Sequence, residues 1–217
     1  MDLSLLEKVM KHIKLGLLTV LLIGATNLLY AAKPEVEVTT SDSKDIKTGP
    51  TAFALIKEGN RYIGEDSKDK VVQIRSEKSI GSLTPSYWYI VYYDEDATAK
   101  SVEVKFGGGK KMAVKRQPRV LEIFSKESKP LNREKLKVDS DKALEVALKE
   151  DLLTTVRLTN TEMKLERWGE EDAPTWKIKI WAQQARHPEK TVDIGEIFIS
   201  ASEGKVVKLD LHINRVD

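Results

Sequence analysis

The chain has 217 residues, with 36 Lys and Arg against 34 Asp and Glu and a formal net charge of +2. So small an excess gives no general basic field for nucleic-acid binding. It contains no cysteine, which excludes a disulfide framework and thiol chemistry, while 41% hydrophobic residues suffice for a packed core.

Near the start, Met10, Lys11, His12 and Lys14 precede a stretch without charge from Leu15 to Ala32, which ends Leu29-Tyr30-Ala31-Ala32 before Lys33-Pro34. A basic segment, an apolar segment and small residues at its end are the parts of a secretory signal peptide. Cleavage after Ala31 is expected, and Met10 would serve as the more conventional start. The alternative is an uncleaved anchor, since about 18 apolar residues is the lower edge of a membrane span. Residues 1–32 are thus read as signal peptide or N-terminal anchor, and 33–50 as a polar linker.

From Thr51 to Gly59, the residues Ala52, Phe53, Leu55 and Ile56 fit a short helix. A strand follows through Val71 and Ile74, then a break at Ser82-Leu83-Thr84-Pro85. Trp88 to Tyr93, aromatic and β-branched, predicts a strand. Val102, Val104 and Phe106 alternate with charged residues, and Gly107-Gly108-Gly109 turns the chain into Met112 and Val114. Residues 117–138 read as a connector whose Val120, Leu121, Ile123 and Phe124 pack on a module.

Asp139 offers an N-cap to a helix carrying Ala143, Leu144, Val146, Ala147 and Leu148. A strand through Val156 to Trp168 follows, and then a turn at Gly169-Glu170-Glu171-Asp172. Trp176, Ile178 and Ile180 share one face of the next strand; Lys177, Lys179 and Trp181 share the other. Ile197 and Ile199, the turn Ser202-Glu203-Gly204, and Val206, Leu209 and Leu211 close the chain.

The ordered part is written twice. Pro85, Trp88, Ile90 and Tyr92 reappear as Pro174, Trp176, Ile178 and Ile180. Val102, Val104, Gly109, Lys110 and Met112 match Ile197, Ile199, Gly204, Lys205 and Val207 at a constant offset. That offset is seven larger than for the Trp strand, which predicts a longer loop around Arg186 to Val192 in the second copy. The expected fold is therefore α+β, two tandem repeats (51–116 and 139–217), each a helix followed by an antiparallel sheet of about four strands.

This pattern resembles the PepSY-like families of exported proteins, in which a helix precedes an antiparallel sheet closed by a hairpin. Asp141 to Leu148, Pro174 to Ile178 and Ile197 to Val207 carry the likeness; Phe106-Gly107-Gly108-Gly109-Lys110-Lys111 departs from the usual hairpin. The resemblance implies an extracytoplasmic, non-catalytic module, in some relatives associated with peptidase precursors. The arrangement is also similar, in architecture only, to secreted β-lactamase inhibitor proteins.

No reaction is spelled out. His187 and His212 are too few for a zinc site, so neither metal nor cofactor is expected. Ser79, Ser82, Ser86, Ser200 and Ser202 lack a G-x-S-x-G frame. Glu170/Glu171 and Asp94/Asp96 read as solvated turn charges, and the glycine run lacks phosphate-loop spacing. Two features suggest binding. Tyr87, Tyr89 and Tyr93 share the face of their strand opposite Trp88. Lys110, Lys111, Lys115, Arg116 and Arg119 form a basic run.

The expected function is a non-enzymatic, exported protein-binding module in the periplasm or outside the cell, modulating a peptidase or other envelope protein. Its candidate binding face is Tyr87, Tyr89, Tyr93, Lys110, Lys111, Lys115 and Arg116. The partner is another exported or envelope protein rather than nucleic acid, with membrane contact only through an uncleaved N-terminus. A membrane-anchored structural component and a hydrolase without a recognisable motif are the alternatives.

Overall fold

The computed structural model describes residues 49–116, 129–169 and 171–217. The expected signal peptide, nearly all of the linker, Arg119, Glu170 and the packing of Val120, Leu121, Ile123 and Phe124 lie outside the described residues.

Helix α1 spans Ala52–Gly59. Four strands follow: β1 (Val71–Ser76), β2 (Tyr87–Tyr93), β3 (Ser101–Gly107) and β4 (Lys110–Arg116). Helix α2 spans Ser140–Leu148. It precedes β5 (Leu158–Trp168), β6 (Ala173–Gln183), β7 (Thr191–Ser200) and β8 (Val206–Leu211). Among the described residues, all eight strands form one sheet, in the order β4-β3-β2-β1-β5-β6-β7-β8, and every pairing is antiparallel.

This corrects the expectation of two tandem repeats, each with its own four-stranded sheet. The first strands of the two halves, β1 and β5, pair with each other at Ile74–Leu165 and Arg75–Lys164 and fuse everything into one sheet. The physical reason is an edge problem. Separated halves would each leave a strand with unpaired backbone groups, and pairing β1 with β5 removes both edges. The helices, of 8 and 9 residues, are too short to cover separate sheets and instead lie against one continuous core.

The seam between the halves extends beyond the backbone ladder through side chains. Ser76 Oγ accepts from the Met163 N–H at 2.8 Å. Ser79 Oγ accepts from the Thr161 N–H at 2.9 Å and donates to the Ser82 carbonyl at 2.6 Å. Ser79 is buried, so its hydroxyl, considered above as a nucleophile, takes the place of a backbone group where β1 leaves β5.

Alternation puts Trp88, Ile90 and Tyr92 of β2, Val102, Val104 and Phe106 of β3, and Trp176, Ile178 and Ile180 of β6 on the helix-covered face. Trp88 and Trp176 meet edge to face at 6.4 Å. Their strands are separated by β1 and β5, about 14 Å by three inter-strand spacings, so both rings lean over the seam. Ser76, opposite Trp88 in register, is a small buried neighbour beneath them.

The two helix N-termini meet at Asp139. Its Oδ1 accepts from Ser140 N–H at 2.6 Å and from Phe53 N–H at 3.0 Å, and Ser140 Oγ accepts from Ala52 N–H at 3.0 Å. One carboxylate therefore caps both helices and ties the two halves together. Asp139→Ala is expected to cost about 2–3 kcal/mol, above the usual single cap of about 1 kcal/mol, whereas Asp139→Asn, which keeps an acceptor, should cost less. Urea denaturation of both variants checks this; equal losses would refute the shared cap.

The second half has no longer loop, contrary to the expectation around Arg186 to Val192. Loops 94–100 and 184–190 match in length. The extra residues instead lengthen β6 and β7, which run 11 and 10 residues where β2 and β3 run 7 each.

Candidate binding surfaces

Among the described residues, no helix or strand covers the other face of the sheet. Register places Lys105, Tyr89, Arg75, Lys164, Lys177, Phe198 and Lys208 in one line across seven strands of this face. Adjacent like charges would repel, but each cation reaches a carboxylate in a neighbouring line. Arg75 pairs with Glu103 at 2.5 Å, Lys105 with Glu77 at 2.7 Å and Lys164 with Glu166 at 2.6 Å. Lys177 pairs with Glu196 at 3.3 Å and Lys208 with Asp210 at 3.2 Å. Every cation of this line is thus offset by a carboxylate.

Tyr87, Tyr89 and Tyr93 lie on this face and are half-buried. They are not sandwiched between two sheets, since the halves lie side by side. Cations cover Tyr87 and Tyr89. The Arg75 guanidinium sits 3.9 Å from the Tyr89 ring centre, and Lys105 Nζ sits 4.9 Å from Tyr89 and 5.4 Å from Tyr87. The Tyr89 hydroxyl donates to Glu77. Hydrogen bonds from Lys105, and then from Tyr89, hold the Glu77 carboxyl below the ordinary range, and Glu77 in turn raises Lys105.

Lys110, Lys111, Lys115 and Arg116 all lie on β4, the edge strand, and are exposed. Only β3 separates this strand from the tyrosines. Lysines on a free edge also discourage pairing with other strands. Arg116 Nε lies 3.1 Å from Oδ2 of Asp94, an ion-pair contact without hydrogen-bond angles. Asp94 is buried, which corrects its reading as a solvated turn charge; its Oδ1 accepts from Asp96 N–H at 3.1 Å.

His187 and His212 stand apart, beside Glu189 at 3.6 Å and Asp210 at 3.3 Å. Among the described residues, no three His, Cys, Asp or Glu side chains converge as a metal site, and no helix is long and apolar enough to cross a membrane.

One concavity was not foreseen. Between α2 and the segment that enters β2 lies an apolar cleft of about 500 Å³, lined by Pro50, Pro85, Trp88, Leu144, Leu148 and Met163, with Asp141, Glu145 and Lys149 at its rim. Lys149, and then Lys142, pull the Glu145 carboxyl down to about 2, so it is anionic across the physiological range. The cleft adjoins a second of about 790 Å³, which shares Gly49, Pro50, Thr84, Pro85 and Trp88 and continues over Ile80 to Gly109. Trp88 is held in this wall by its Nε1–H, which donates to the Pro85 carbonyl at 3.2 Å. No sequence signal joins these residues, because Pro50, Pro85 and Leu144 come from three separate segments.

Comparison of the chain with family models, with curated proteins and with solved structures finds no match. The PepSY-like resemblance therefore rests only on the residues quoted for it above.

Proposed function

We propose that this chain is an exported, non-enzymatic binding module that holds an apolar side chain of another envelope protein in the cleft between α2 and Trp88. The observation that carries this reading is the cleft itself. Its walls are mostly aliphatic and aromatic, with Thr51, Thr84 and Ser140 among them, and the exposed charged residues stand at the rim, the arrangement that seats an apolar group and orients its polar neighbours. Residues 10–32, with their basic and apolar segments, support export. The open face supplies a second reading, because no described helix or strand lies over its half-buried tyrosines.

Photo-cross-linking separates the two. Benzoylphenylalanine placed at Lys149, at the cleft rim, should capture a discrete envelope protein, and Leu148→Glu in the same chain should abolish capture. The same probe at Tyr93 samples the open face, and at Lys115 the basic edge. Capture from Tyr93 or Lys115 but not Lys149 would move the site to the tyrosine and lysine set. Capture from none of the three would defeat the binding reading. The identity of the captured protein decides whether it is a peptidase, as the PepSY-like resemblance implies.

A further inference from the structure

Among the described residues, β4 and β8 each have one side without a neighbouring strand, and these two edges differ in chemistry. β4 carries four cations in seven residues, and an antiparallel pair of β4 strands centred on Ala113 would set cation against cation throughout. β8 reads Val206-Val207-Lys208-Leu209-Asp210-Leu211, with Val207 48% and Leu209 42% exposed. The His212 N–H donates to the Ile194 carbonyl. By alternation, the backbone groups of His212, Asp210 and Lys208 turn toward β7, and those of Leu211 and Leu209 turn to the free side. Beyond β8 the chain folds back from that side. Arg215 donates to the Asp193 carbonyl at 3.3 Å, and Ala185 N–H to the Val216 carbonyl at 2.7 Å.

We propose that β8 pairs antiparallel with β8 of a second copy about a two-fold axis at Leu209, continuing the sheet from one chain into the next. In this register each Lys208 stands opposite Asp210 of the other chain on the open face. Leu209 meets its own equivalent on the helix side, and Val207, the extra residue of a bulge against β7, lies across from Leu211. The charged pair and the central leucine are each met by a complementary position, as a two-fold interface requires. Within one chain Lys208 already pairs with Asp210 at 3.2 Å, so association exchanges partners and strands no charge. Centring the pair on Lys208 or Asp210 instead would oppose like charges and turn inward-facing backbone groups to the seam. Self-complementary charge commits this edge to a second copy, and the cations of β4 stop growth at the opposite edge. The sheet therefore closes as a dimer of sixteen strands and does not form a fibre.

A seam of one short strand is a small interface, so weak association is expected. Sedimentation velocity of the full chain, from about 1 to about 300 µM, should show monomer passing to dimer. Lys208→Asp and Asp210→Lys each make the strand single-signed at these positions. Each variant alone should remain monomeric over the same range, with an unchanged circular dichroism spectrum. Mixed in equal amounts, the two variants should form a dimer again, now containing one chain of each. Three results would overturn the proposal: a wild-type chain monomeric throughout, a dimer indifferent to both substitutions, or a mixture that stays monomeric.

Discussion

Trp176→Ala should destabilise the protein by about 3–5 kcal/mol, the range of a large aromatic removed from a closed core. Trp176 is fully buried. It stacks on Phe53 of α1 at 6.3 Å, meets Trp88 edge to face at 6.4 Å, and its Nε1–H donates to the Val138 carbonyl at 2.8 Å. One side chain thus links the first helix, the seam and the approach to the second helix. Truncation leaves a cavity there and a carbonyl without its donor. Trp181 is one strand face away, on the open side, and half-buried under Lys78 at 4.4 Å and Lys179 at 5.3 Å. Trp181→Ala should cost about 1 kcal/mol. Urea denaturation of both variants gives the comparison. If Trp181→Ala costs as much as Trp176→Ala, the open face is core, and the reading of the sheet as covered on one side fails.

That division of faces was readable in the sequence, because a strand must alternate. Trp88, Ile90 and Tyr92 against Tyr87, Tyr89 and Tyr93 needed no tertiary information, and the N-cap at Asp139 needed only its chemistry. Pairing was not readable. Alternation says which way a side chain points, not which strand lies beside it, so the internal similarity of the halves suggested two sheets. The β1–β5 contact that fuses them has two ladder pairs and continues through serine hydroxyls, a signal that resembles ordinary loop composition. The seven-residue step in the offset reads as a loop for a related reason. Longer strands and a longer loop produce the same step, and only the ladder tells them apart.

The candidate sites show the same boundary. The tyrosine row was visible because its members stand at alternate positions of one strand, with Val91 between Tyr89 and Tyr93. Its cover was not, since Arg75 and Lys105 come from β1 and β3 and stand beside Tyr89 only through register. The basic run was visible as composition, but its place on the edge of the described sheet follows from strand order. Edge position gives those lysines a role in preventing strand pairing whether or not they also touch a partner. The cleft depends entirely on tertiary contact between α2 and the segment before β2.

Gly195→Ala should be comparably damaging, at about 3–5 kcal/mol, although it adds one methyl group. Gly195 has a φ of +110°, a conformation that L side chains rarely adopt and that costs about 1–3 kcal/mol when forced. A Cβ there would lie 2.0 Å from the Asp210 carbonyl oxygen. The obstacle is main chain, so no rotamer change can relieve it and β8 itself must move. The position arises from a bulge: Ile180 pairs with Gly195 and Trp181 with Asp193, which leaves Ile194 as an extra, fully buried residue. Asp193 holds the bulge by accepting from the Gly195 N–H at 2.8 Å. Burial opposes the charge on Asp193, but Lys179 and that N–H outweigh it and keep its carboxyl below the ordinary range. Gly59 is a useful contrast. A Cβ there would lie 2.1 Å from the Tyr92 hydroxyl, the far end of a side chain, on a helix of ordinary dihedral angles. Gly59→Ala can therefore be relieved by a ring shift and should cost about 1–3 kcal/mol. Denaturation ranks the two variants, and hydrogen exchange locates the damage. In Gly195→Ala the loss of protection should centre on β8 and on His212, whose N–H is bonded to Ile194, while β2 and β3 stay protected. Displacing β8 should also remove self-association without changing any charge. A Gly195→Ala protein with wild-type stability and full protection along β8 would show that the bulge does not hold the edge strand in place.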